Sequence, residues 1–167
     1  MVLVGLGSNR GDSVGIVRAA MGRLRGFADG DTRCSDLWRT SPVDCPPGSE
    51  DFINAAVSFR AAPGLTPESL LADLKALEAE YGRTGQRLRN APRELDLDLL
   101  LFDAETRDTA DFVLPHPRAA DRLFVLAPAA QVAPDVVWPE IGLTIRELLD
   151  ELDSDERVVR LEAHGCL

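Results

Sequence analysis

Residues 93–103 read RELDLDLLLFD. Leu95, Leu97, Leu99 and Leu101 fall on every second position, the period of a β-strand. They leave Asp96, Asp98, Leu100 and Phe102 on the opposite face. A buried carboxylate without a partner is costly, so two of them on one face of so apolar a strand must meet water, a cation or a metal. Side chains at i and i+2 stand roughly 6–7 Å apart along a strand. At that spacing each carboxylate reaches one or both of a pair of Mg²⁺ ions, which in two-metal sites lie about 3.5–4 Å apart. Carboxylate oxygens are also the hard ligands that Mg²⁺ takes beside substrate phosphates. The plainer reading, an acidic strand guarding a sheet edge, stays open on the pattern alone.

Immediately before this strand, residues 81–93 read YGRTGQRLRNAPR, with Arg83, Arg87, Arg89 and Arg93 and no acid. The whole chain is strongly acidic, with a formal net charge of −10 from 18 basic and 28 acidic residues. A basic segment in such a chain is either an anion site, where arginine's planar fork suits phosphate oxygens, or a solvated loop. The overall charge argues against nucleic acid as a partner. No run of eighteen apolar residues occurs, so no membrane span is expected. The opening stretch MVLVGLGSNRGD lacks a basic leader and reads as a first strand, not a signal peptide. Cys34, Cys45 and Cys166 are odd in number and far apart. That argues against a disulfide framework and a cysteine zinc site, and for a reducing cytoplasm.

Further out, VLVGLG at 2–7 reads as a buried strand, and Asp12 caps a helix running to about Phe27. RCSDLWRT at 33–40 is a weaker strand. The proline-rich stretch at 41–51 is a loop, and DFINAAVSFR at 51–60 alternates as a strand. Thr66 caps a helix with Pro67 in its first position. Leu70, Leu74, Leu77 and Tyr81 form its stripe, and Gly82 ends it. Residues 114–134 are a loop leading into a short helix from about Arg118. Thr144 caps a last helix through about Leu152, and RVVRLE in the tail allows one more short strand. The order β-α-β-β-α-β followed by helices predicts an α+β sandwich with a mainly antiparallel sheet. No repeat, low-complexity segment or linker divides the 167 residues.

Other chemistry is less specific. GLGSNRGD, between a strand and a helix, fails the dinucleotide fingerprint because Arg10 stands where the third glycine belongs. It reads as a tight β-to-α turn. No Walker A lysine exists; the only lysine is Lys75. His116 lies between two prolines in LPHPR, with Arg118 and Arg122 just beyond, so it contacts phosphate or is merely structural. His164 is assigned nothing. Phe52 and Asn54 share a strand face, where a ring and an amide suit a flat heterocycle, or simply the core. Phe124 reads as core.

Taken together, GLGSNRGD, WRTSPV, DFINAAV, LLADLKALEAEYGR, RNAPRELDLDLLLF, LPHPRAADRLFVLAP and VAPD, in this order, resemble the 6-hydroxymethyl-7,8-dihydropterin pyrophosphokinases of folate biosynthesis. The pairing of PRELDLDLLLF with LPHPR downstream is the most specific part. The resemblance implies a ferredoxin-like α+β fold and one pyrophosphokinase domain over 1–167. It implies transfer of diphosphate from ATP to the hydroxymethyl group of the dihydropterin, with release of AMP. It further implies that Asp96 and Asp98 ligate two Mg²⁺ ions. Arg83 and Arg93 match catalytic, ATP-contacting arginines on a mobile loop, and His116 and Arg122 match residues that contact ATP. Thr40, Val43, Phe52, Asn54 and Phe124 match the pterin pocket, with the rings of Phe52 and Phe124 sandwiching the heterocycle, and Glu78 matches a helix position near that pocket. The expected partners are these small molecules alone, for a monomer in the cytoplasm. The sequence departs from some family members at Gly85 and Gln86, where they carry basic residues, at Asn90, where they carry Trp, and at Pro117, where they carry Tyr. Two other readings are a different Mg²⁺-dependent nucleotidyl or phosphoryl transferase and a non-catalytic ligand-binding descendant of the fold.

Overall fold

The first apolar run, in β1 (Val2–Ser8), is internal on both sides. Val2, Val4 and Leu6 belong to one core and Leu3 to another, which makes β1 a central strand. The computed structural model describes residues 1–81 and 94–161. Asp12 ends the turn after β1, its Oδ1 accepting from the Gly15 N–H at 3.1 Å. It thereby caps α1 (Ser13–Leu24), which buries Val17, Ala20, Met21 and Leu24 at helical spacing. A single 3₁₀ turn, Arg25–Phe27, completes the helix that the sequence predicts through Phe27.

The expected strand at 33–40 is in fact two, β2 (Ala28–Cys34) and β3 (Trp38–Thr40). The break has a local cause. The Ser35 N–H donates to the Ala56 carbonyl at 2.9 Å, while the Ser35 hydroxyl accepts from the Ala56 N–H at 2.8 Å. A side chain thus takes the place of a backbone carbonyl, and the strand turns aside. Both pieces pair antiparallel with β4 (Phe52–Ala61). Thr66 then caps α2 (Pro67–Glu80), with Pro67 in the first turn and Leu70, Leu74 and Leu77 buried. Gly82, the predicted stop, lies outside the described residues.

β5 (Asp96–Phe102) pairs antiparallel with β1. Beyond it come a small hairpin of β6 (Arg107–Asp108) and β7 (Val113–Leu114), then α3 (Leu123–Val132), α4 (Ile145–Glu151) and β8 (Val158–Arg160). A 3₁₀ turn at Ala119–Asp121 precedes α3, which therefore starts later than the predicted Arg118. The sheet order is β5-β1-β4-β3-β8, with β2 also on β4. All its neighbours are antiparallel. This is the ferredoxin-like arrangement. α1 and α2 cover one face through Val4, Leu6, Val57, Leu74, Leu97 and Leu99. α3 and α4 cover part of the other through Leu3, Ala56, Leu100, Leu126 and Ile145.

The phase of β5 differs from strict alternation. Leu3 pairs with Leu101, but Val4 pairs with Leu99, so Leu100 is an extra residue, a β-bulge. Leu95, Leu97 and Leu99 face α1 and α2 as expected. Past the bulge, Leu101 joins Leu100 on the α3 side and Phe102 joins the first core. Asp96 and Asp98 precede the bulge and keep their shared face. Cys45 is a free thiol, whereas Cys34 is disulfide-bonded. The expectation against a disulfide framework is corrected to that extent, because separation in sequence does not measure separation in the fold. Among the described residues no helix is long and apolar enough to cross a membrane.

Candidate active site

The face of β1 opposite α1 carries no side chains at its far end. Gly5 and Gly7 lie there, paired on one side with Asp98 and Asp96 of β5 and on the other with Ala56 and Asn54 of β4. The two glycines form the floor of a pocket also lined by Thr40, Val43, Asp44, Phe52, His116 and Arg118, with Arg122 and Phe124. The floor is built for close approach. A Cβ on Gly7 would stand 2.7 Å from Asn54 Oδ1. Asn54 cannot easily give way, because its Nδ2 donates to Thr40 Oγ1 at 2.7 Å and it is only 7% exposed.

The charged wall lies along β5 and the segment after β7. The Leu114–Pro115 peptide is cis, and the His116 N–H donates to the Leu100 carbonyl at the bulge, 3.2 Å away. This ties His116 to the strand that carries the two aspartates. His116 Nε2 stands 3.9 Å from Asp98 Oδ1, with the two side chains 32% and 45% exposed. The carboxylates therefore reach solvent, which answers how so apolar a strand tolerates them. Burial lowers the His116 pKa, Arg118 pushes it the same way, and Asp96 opposes both. Nδ1 accepts from the Arg118 N–H at 3.4 Å, so the proton of the neutral ring sits on Nε2, toward the pocket. Arg122 Nη2 lies 2.8 Å from Asp44 Oδ2 on the loop after β3. No group of three His, Cys, Asp or Glu side chains able to hold a metal occurs among the described residues. Asp96 and Asp98, two hard carboxylate donors on one strand face, are of the kind that Mg²⁺ takes beside substrate phosphates.

Residues 3–134 match the family model of 7,8-dihydro-6-hydroxymethylpterin-pyrophosphokinase, or HPPK. The chain belongs to the HPPK family. It is 39% identical over 152 residues to the 2-amino-4-hydroxy-6-hydroxymethyldihydropteridine pyrophosphokinase of Synechocystis, covering 90% of this chain and 75% of that one. The protein of the same name from Bacillus subtilis is 40% identical over 137 residues, 80% of this chain and 78% of its own. That from Methylorubrum extorquens is 38% identical over 161 residues, with 93% and 96% covered. Among solved structures, the HPPK-DHPS triple mutant of Plasmodium falciparum with pteroate superposes with a TM-score of 0.67 at 13% identity, over 90% of this chain. A second HPPK-DHPS, in complex with substrates, gives 0.69 at 12% over 89%. The chain spans 42% of each of those two chains, and at such identities they speak for the fold alone.

Within this HPPK fold, nine of the residues singled out in the sequence line one pocket: Asp96, Asp98, His116, Arg122, Thr40, Val43, Phe52, Asn54 and Phe124. Arg83 and Arg93 lie outside the described residues. Glu78 does not line the pocket. It is buried in α2, where Oε1 accepts from the Leu97 N–H at 2.7 Å and so braces the outer edge of β5. Sequence reasoning placed Gly5 and Gly7 in the first strand and the tight turn that follows it but gave them no part in the site, although their i, i+2 spacing inside a strand pattern is the signal that they share a face. It also left Asp44 and Arg118 without a role.

Proposed function

We propose that this HPPK-family chain transfers the β,γ-diphosphoryl group of ATP to the hydroxymethyl oxygen of 6-hydroxymethyl-7,8-dihydropterin. The observation that carries this reading is the placement of Asp96 and Asp98 across the glycine floor from the Thr40–Asn54 pair. One half of the pocket is suited to phosphates and the other to a heterocycle. In the reaction the hydroxymethyl oxygen gives up its proton to solvent and bonds to the β-phosphorus as the bond from that phosphorus to the α,β-bridging oxygen breaks. AMP leaves with the bridging oxygen.

Asp96 and Asp98 would hold two Mg²⁺ ions, which would supply neutralisation of the triphosphate charge. His116 donates a hydrogen bond from Nε2 to a phosphate oxygen. Arg122 exchanges Asp44 for phosphate, an exchange of small cost because an exposed ion pair contributes little. Arg83 and Arg93 supply further positive charge to the phosphates. Phe52 and Phe124 take the pterin ring between them, and Asn54, fixed by Thr40, meets its polar edge, with Val43 alongside. Gly5 and Gly7 let the two substrates lie close to the strand, so that donor and acceptor are held in line. The chain acts as one pyrophosphokinase domain over 1–167, as a monomer, in the cytoplasm where ATP is at hand.

Product analysis tests the reaction. Purified protein incubated with ATP, Mg²⁺ and 6-hydroxymethyl-7,8-dihydropterin should release AMP in equal amount to the pterin diphosphate, and a chelator should stop it. Release of ADP or of inorganic diphosphate instead would assign the chain to another class of transferase. No turnover at all would favour a ligand-binding role.

A further inference from the structure

The pterin half of the pocket is pinned by a segment beyond residue 134, where the family match ends. α3 begins badly. Its N-cap, Arg122, offers no side-chain acceptor. Pro128 inside the helix lacks the N–H that would close on the Phe124 carbonyl. The Phe124 N–H, at the second position of the helix, has no acceptor within the helix itself. Glu156, 32 residues downstream, supplies what is missing: its Oε2 accepts from the Phe124 N–H at 3.0 Å. A carboxylate at that point satisfies an orphan donor and meets the positive end of the helix.

The same segment also grips the other wall. The Arg157 N–H donates to Ser41 Oγ at 3.2 Å, and the Ser41 N–H donates to the Arg157 carbonyl at 3.0 Å. β8 then pairs Val158 with Thr40, the residue that fixes Asn54. Three consecutive tail residues thus tie the turn carrying Phe124 to the strand carrying Thr40.

We infer that Glu156 is a positioning residue of the pterin site. It sets the place of Phe124 by capping α3 from the tail, and the Arg157–Val158 pairing holds Thr40 and Ser41 in register with it. The inference rests on the reading that Asn54 and Phe124 bind the pterin. Its bond is to Phe124, two residues past Arg122, so it governs first how well the heterocycle is held.

The test compares the full chain with Glu156→Ala, Glu156→Gln and Asn54→Ala, measuring pterin and ATP binding by calorimetry together with KM and kcat. Loss of a helix cap predicts that Glu156→Ala raises the Kd and KM for the pterin about fivefold, with ATP affinity and kcat at saturating pterin within about twofold of the parent. Glu156→Gln, which keeps an acceptor oxygen, should recover most of the difference. If Glu156→Ala does not fold, Glu156→Asp, a methylene too short to reach, reads the same split. Normal pterin affinity in Glu156→Ala and Glu156→Asp beside a weakened Asn54→Ala would overturn the positioning role alone. Normal affinity in Asn54→Ala as well would overturn the pocket assignment and the inference with it. Parallel loss of ATP and pterin binding, without recovery in Glu156→Gln, would reduce Glu156 to general stability and also overturn it.

Discussion

At the scale of single residues, Gly7 and Gly5 make a controlled pair. A methyl on Gly7 would meet Asn54 Oδ1 at 2.7 Å, whereas one on Gly5 would meet only Leu100 Cδ1 at 3.4 Å. Displacing Asn54 breaks its bond to Thr40, and a lost polar contact there costs about 1–3 kcal/mol. Gly7→Ala should therefore weaken pterin binding by at least about fivefold, and Gly5→Ala by far less; calorimetry giving the opposite order would dissociate Asn54 from the ligand. His116 offers a second check. Burial holds its folded pKa below the unfolded value, so its contribution to stability is present above the unfolded pKa and is lost as pH falls through the folded one. In the protein free of nucleotide, an NMR titration of its ring should have a midpoint below that of an unperturbed histidine. A midpoint at or above that value would contradict the buried, neutral ring. Asp96, Asp98 and His116 stood out in the sequence as carboxylates on an apolar strand and a histidine between prolines, but only the family resemblance gave them roles; the structure brings the three to one pocket. Gly5 and Gly7 did not stand out, because a glycine announces only what it lacks, and the side chain it makes room for sits on another strand.

At the scale of elements, β5 shows where a pattern runs out of information. LDLD has a phase, but the following LLLF is apolar at every position and has none, so the bulge at Leu100 left no mark. The start of α2 was legible to the residue because a capping threonine, a first-turn proline and a leucine stripe all agree. The β2–β3 break was not, since it depends on Ser35 meeting Ala56, 21 residues away. The bond from α2 to β5 belongs to the same class of long-range facts. Glu78 is 3% exposed and accepts from the Leu97 N–H. Glu78→Ala leaves that donor buried without an acceptor and should lower stability by about 1–3 kcal/mol. Glu78→Gln, which keeps an oxygen there, should lose less. Chemical denaturation measures both, and a loss under about 0.5 kcal/mol in Glu78→Ala, the range of an ordinary surface change, would show that the edge of β5 needs no brace.

At the scale of the whole molecule, the sheet divides labour between its faces. α1 and α2 pack on one face, while α3 and α4 cover part of the other, where the glycine floor lies with its aspartates and its pterin wall. The order of elements and the fold class could be read from the chain because each helix and strand carries its own period. The role of the tail could not, since β8 is three residues long and gains meaning only from the partners it meets. The central claim is that the two carboxylates on one strand face drive the transfer, and steady-state turnover of Asp96→Ala and Asp98→Ala tests it most directly. Each change removes a metal ligand, so turnover should fall by at least about 100-fold while circular dichroism and pterin affinity stay near those of the parent. A folded Asp96→Ala or Asp98→Ala variant that turns over at close to the parent rate would contradict the account.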